Sequence, residues 1–173
     1  MRLLARIILF IFLLLLTFWM HVFFFYTLPF PFRAINTIFV VLFFVLWWRE
    51  SGSVVWISFF VHLLTEFVSD LPFGITMFSG TVSVLVGYWL YVNVFTNRSW
   101  YAISLLLVVT IALFRLSFIL LLVVHAFLFD SHFSFAPIIQ FTLWEAGITT
   151  GVFLVISAAV SRLFFRFRPE RIR

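Results

Sequence analysis

The chain has no cysteine, which excludes disulfide staples, thiolate metal sites and cysteine nucleophiles. Lysine is missing as well, so all 11 basic residues are arginines. Charge of either sign is scarce. Asp, Glu, Lys and Arg make up 10% of the 173 residues, whereas a soluble domain carries about a quarter. The common catalytic signatures are also missing. There is no His-Glu-x-x-His zinc motif and no Gly-x-Ser-x-Gly elbow. The stretch nearest to a phosphate-binding loop, Gly74 to Gly87, has no lysine. No pair of aspartates is placed to hold magnesium against a phosphate. The expectation is a protein that is not an enzyme and takes no cofactor.

What fills the chain is apolar. Hydrophobic residues account for 65% of it, with 28 Phe and 7 Trp, and the mean hydropathy is +1.25. A soluble domain is about 45–50% apolar, so the solvent that suits this sequence is lipid. The net charge of +5 does not point to nucleic acid. Its arginines stand at the ends of apolar runs and form no patch.

Spans of about 17–25 apolar residues cross a bilayer, and the breaks divide the sequence into six. The expected class is all-α, a single six-helix transmembrane bundle over 1–165 followed by a basic tail, 166–173. The helices are expected over 3–26, 34–48, 53–69, 73–95, 100–128 and 136–165. The first is read as a retained span, because no small-x-small cleavage site follows it. Pro29, Pro31, Pro72 and the Thr96-Asn97-Arg98-Ser99 turn punctuate the exits. Asp130, Ser131 and His132 mark another break, and Pro137 suits a first helical turn. The last two runs approach about 43 Å, longer than a hydrocarbon core of about 30 Å.

Orientation follows from the arginines. With both termini inside, the inner side holds Arg2, Arg6, Arg49, Arg98, Arg162, Arg166, Arg168, Arg171 and Arg173. The outer side holds Arg33 with Asp70 and Asp130. That asymmetry satisfies the positive-inside rule. The expected location is therefore the cytoplasmic membrane, with Arg166, Arg168, Arg171 and Arg173 lying on an anionic inner leaflet.

Charges within spans are costly, and they mark function or pairing. Glu66 lies about 20 Å and Arg115 about 22 Å from the inner ends of their helices, and Glu145 about 14 Å below its outer end. Arg115 is expected to pair with Glu145, Glu66 or both, because a carboxylate offsets much of the cost of desolvating a guanidinium. Such a network either fixes helix register or forms a substrate, proton or partner site. His62, Glu66 and Asp70 recur at helical spacing and are expected on one face. A metal is discounted, because no second histidine completes a ligand set. Ser79, Ser83 and Gly87 on the fourth helix, and Gly147 and Gly151 on the sixth, are small residues that let helices approach. Internal packing is the expected role, with a partner helix on Gly147 and Gly151 as the alternative.

Glu66-Phe-Val-Ser-Asp-Leu-Pro-Phe-Gly74 closes the third expected helix. The fourth ends at Gly87-Tyr-Trp-Leu-Tyr, and Phe95-Thr-Asn-Arg98 turns into the next. This stretch resembles the MreD family of bacterial rod-shape-determining membrane proteins. Ser69 and Gly74 match the family's acidic-x-x-Ser-Gly-x-x-x-Gly form, while Asp70 replaces its first glycine and Glu66 stands for its usual Asp. The likeness covers about two thirds of the chain, from the third helix onward. It implies a fold similar to the substrate-binding subunits of energy-coupling-factor transporters. It also implies a non-enzymatic role in cell shape and peptidoglycan elongation. The protein would bind an MreC-like bitopic partner, meet the elongation enzymes and link them to MreB-like filaments. His62, Glu66, Ser69, Asp70 and Gly74 would form the partner or pocket face. The alternative is a vitamin transporter's binding subunit. Such subunits carry an Ala-x-x-x-Ala pair on the first helix, where this chain has only Ala5.

Overall fold

The computed structural model describes residues 2–95, 99–129 and 135–165, leaving aside the side chains of 2, 3, 5, 6, 135–137 and 163–165. The tail with Arg166, Arg168, Arg171 and Arg173, and residues 96–98 and 130–134, where turns were expected, lie outside the described residues. Among the described residues the chain is all-helical, with no strand. Its helices are α1 (Arg2–Thr27), α2 (Thr37–Arg49), α3 (Ser53–Glu66), α4 (Ile75–Asn93), α5 (Trp100–Phe129) and α6 (Phe135–Phe165). A 3-10 turn, Phe32–Ala34, precedes α2.

Four of these helices are long and apolar enough to cross a membrane, through Ile7–Thr27, Ile75–Asn93, Trp100–Phe129 and Ile138–Arg162. The protein is therefore a multi-pass membrane protein. Of the six expected spans four have crossing length, and the two expected over 34–48 and 53–69 are corrected to the shorter α2 and α3. They have 13 and 14 residues and rise about 20 Å and 21 Å, short of a hydrocarbon core of about 30 Å.

Local chemistry shortens both. Residues 34–36 were expected to be helical, but Asn36 instead caps α2, its side chain accepting from the Phe39 amide at 3.3 Å. That arrangement satisfies an amide the helix leaves orphaned. At the other break α3 stops at Glu66, and the apolar residues Phe67 and Val68 continue as an exposed turn. Gly74 then opens α4 with φ of 100°, a conformation that costs a residue without Cβ nothing.

α2 lies inside the bundle, against α1, α3, α5 and α6. Its Phe39, Leu42, Phe43 and Leu46 are buried with Ile103, Leu106, Leu107 and Ile111 of α5. α1 sits outermost and presents Leu4, Ile8, Phe12, Trp19 and Phe23 outward, the surface expected to meet acyl chains. α4 packs most extensively, on α3 and α5. Ser79, Ser83 and Gly87 lie on its buried face. A Cβ at Gly87 would stand 2.5 Å from Thr110 Oγ1, so α4 and α5 touch there through the missing side chain.

Candidate functional site

The two helix breaks meet at one end of the bundle and leave a cavity of about 400 Å³ between them. His21 Nδ1 lies 3.2 Å from Thr37 Oγ1 in the first turn of α2. α1 rises about 9 Å further, from His21 to its end at Thr27. The start of α2 is thus set below that end. The connection carrying Arg33, Ala34, Ile35 and Asn36 folds inward to line the cavity. Thr65, Val68, Ser69, Asp70 and Leu71 line it from the α3–α4 side. Irregular backbone is tolerated at membrane depth where it borders protein or a polar cavity.

A polar network forms the cavity's wall. Arg115 stands near the midpoint of the 30-residue α5, and its Nε donates to Glu145 Oε2 in a buried ion pair. Asn36 Nδ2 donates to the other carboxylate oxygen at 2.8 Å. The Asn36 amide donates to Thr149 Oγ1 at 2.9 Å. Glu145 and Thr149 share a face of α6 one turn apart, so Asn36 locks α2 to α6 through both. The Arg115 guanidinium also lies over the rings of Phe114, Phe118 and Phe141, at 5.3, 5.5 and 5.3 Å. These faces hold a cation where water is scarce. Among the described residues its terminal nitrogens, Nη1 and Nη2, meet no acceptor.

Glu66 does not join this network. Its carboxylate instead accepts from the amides of Thr76 at 3.3 Å and Met77 at 2.6 Å. The physical reason is proximity to a helix start. The first amides of α4 have no partner within their helix and lie at its positive end. Of the two partners weighed for Arg115, Glu145 is the one it meets. The expected stripe of His62, Glu66 and Asp70 also ends early, because Asp70 stands in the turn beyond α3 and is exposed at the cavity.

His62 lines the cavity and is packed between the rings of Phe39 and Phe114, both at 5.9 Å. Its Nδ1 donates to the Ser58 carbonyl at 2.8 Å, and Ser58 Oγ donates to the Gly80 carbonyl at 3.2 Å. With the proton on Nδ1, Nε2 is an acceptor, and it has no partner among the described residues. Thr76 Oγ1, on the same cavity, is likewise unpartnered. Gly80 makes room for the imidazole, since a Cβ there would come within 2.5 Å of the ring. No group of three His, Asp or Glu side chains converges as a metal site among the described residues.

Gly147 and Gly151 correct the packing expectation. Among the described residues a Cβ at either would meet nothing within 4 Å, so this pair does not face a neighbouring helix of the described bundle. The residues the sequence reading missed are Asn36, Thr149 and Gly80. Asn36 carried a usable signal, because Asn directly before an apolar helical run is a cap signature. Gly80 sits beside the expected stripe of Ser79, Ser83 and Gly87 but carried no signal of its own. Comparison with family models, with curated proteins and with solved structures finds no match for this chain.

Proposed function

We propose that this protein is a non-enzymatic component of the bacterial cell-shape and peptidoglycan-elongation assembly, similar to MreD. It binds an MreC-like bitopic partner and links it to MreB-like filaments. The sequence support is the Glu66–Gly74 segment with the turn that begins at Phe95. The observation that carries the reading is the face of α6 bearing Gly147 and Gly151, where an added Cβ would meet nothing within 4 Å among the described residues. In lipid no hydrophobic drive joins helices, and small-residue faces of this kind permit close backbone approach by a partner helix.

In this reading the protein lies in the cytoplasmic membrane with both termini inside, and all six helices cross. α2 can cross with 13 residues because protein surrounds it and the connection before it dips inward. The arginine tail, Arg166, Arg168, Arg171 and Arg173, then faces the anionic leaflet and the filaments.

The cavity favours a second reading, a binding subunit of a small-molecule transporter. Pockets of about 300–1,000 Å³ lined by apolar groups and a few polar ones suit small ligands.

Tagged full-length protein purified from its native cells in mild detergent separates the two. The assembly reading expects an MreC-like protein to co-purify, and Gly147→Leu with Gly151→Leu to abolish that recovery while leaving the bundle folded. Recovery of a coupling protein with ATPase subunits, unaffected by those substitutions, would replace it with the transporter reading.

A further inference from the structure

We propose that the cavity between the two helix breaks binds a compact carboxylate that carries a hydroxyl or amino group, its carboxylate held by the terminal nitrogens of Arg115. The inference deepens the transporter reading and is independent of whether an MreC-like partner binds α6.

Three observations converge on one cavity. The first is the Arg115 fork. Nε is taken by Glu145, Arg115 lines the cavity, and Nη1 and Nη2 have no acceptor among the described residues. A guanidinium offers its remaining donors in a planar fork that matches a carboxylate in bidentate geometry. Glu145, Asn36 and the three phenylalanine rings hold it in place before any ligand arrives, so little orientation is left to fix on binding.

The second observation is His62 Nε2. The side chain is 1% exposed and lines the cavity, and the ring nitrogen is an acceptor without a donor. The third is Thr76 Oγ1, buried on the same cavity with no partner among the described residues. A buried polar atom left unpaired costs about 1–3 kcal/mol, so groups of this kind are normally satisfied by water or by a ligand. His62 and Arg115 both border the Phe114 ring, at 5.9 and 5.3 Å. Both side chains therefore lie on one stretch of the cavity wall. The remaining wall is apolar, with Phe25, Phe118 and Phe141 among its residues, which suits an apolar or aromatic body.

Charge sets a limit on the ligand. Arg33 and Arg115 are balanced by Asp70 and Glu145 around the cavity. Because these four charges cancel, a bound monocarboxylate leaves one negative charge in excess and a multiply charged anion leaves more, which favours the singly charged ligand. A free solute and the carboxylate of a serine phospholipid share this chemistry, and the test separates them.

The test uses the full chain in nanodiscs of phosphatidylcholine, titrated with the fluorescent probe 6-hydroxy-2-naphthoate, with empty nanodiscs subtracted. The expected result is saturable binding at one site per chain. Binding weakens by about tenfold or more for 2-naphthol, which lacks the carboxylate, and for Arg115→Gln, because a charge-assisted bidentate contact is lost. Glu145→Gln binds the probe more tightly, since the arginine no longer shares its charge, and a variant that gains affinity is necessarily folded. If 15% phosphatidylserine in the discs displaces the probe, the natural ligand is a headgroup. If it does not, the ligand is a free solute. Binding equal to empty discs, equal for 2-naphthol, or unchanged in Arg115→Gln overturns the proposal. None of these outcomes depends on which subunits co-purify, so failure here and failure of the transporter reading are distinguishable.

Discussion

Glu145→Gln removes one negative charge at the middle of the bundle and keeps a side-chain oxygen that Asn36 Nδ2 can still reach. The Arg115 guanidinium then stands without its counter-charge. Breaking a buried pair by removing one partner costs about 3–5 kcal/mol. The side chains are 13% and 2% exposed, so solvent screens little of that cost. The faces of Phe114, Phe118 and Phe141 retain part of the attraction, each worth about 0.5–2 kcal/mol. The expected loss is therefore at the lower end, about 3 kcal/mol. Arg115→Met strands the carboxylate and carries a similar cost. The double variant removes both charges, and replacing a whole buried pair by neutral groups of similar volume is often neutral or better. It should be more stable than either single variant. Reversible unfolding in mixed micelles measures all four proteins as a double-mutant cycle. A double variant whose loss equals the sum of the singles would refute the pairing.

The glycines of α4 and α6 should respond with opposite signs. Gly80→Ala drives a methyl into the His62 ring and should cost about 1–3 kcal/mol; Gly147→Ala meets open space and should gain up to about 1 kcal/mol, both read by thermal unfolding. Asn36→Ala removes the cap of α2 and a donor to Glu145, and should cost about 2 kcal/mol. Asn36→Asp, which sets a second carboxylate against Glu145, should cost more in the same unfolding assay. Glu66→Ala leaves the first amides of α4 uncapped, at about 0.5–2 kcal/mol. Hydrogen exchange at Thr76 and Met77 should accelerate, and unchanged protection would contradict the capping role.

Helix number was legible because lipid imposes long apolar runs that only turns, prolines and charges interrupt. α5 and α6 fall within a residue of their expected limits at the described ends. The two breaks were harder to read. Phe67 and Val68 have the hydropathy of a helix, yet α3 ends before them, because Glu66 folds back onto the start of α4. That contact joins residues from two helices and leaves no trace in the spacing along either. Arg115 and Glu145 could be matched in height from the sequence, since rise per residue is fixed. Azimuth could not be read, which is why Glu66 remained a candidate partner. The face of α6 bearing Gly147 and Gly151 posed the same problem. Small residues mark close approach, but nothing in one dimension says whether the approaching helix belongs to this chain.

The absence of cysteine makes single-cysteine labelling the most direct test of the proposed six-crossing bundle with both termini inside. Asp70 stands at the cavity, in the α3–α4 turn, and Glu50 at the α2–α3 turn, and both are exposed. If the short α2 and α3 cross, these turns lie on opposite sides of the membrane. Asp70→Cys should then react with a membrane-impermeant maleimide in intact cells, and Glu50→Cys only after permeabilisation. Labelling of both in intact cells would mean that α2 and α3 enter and leave by one side, and would contradict the account.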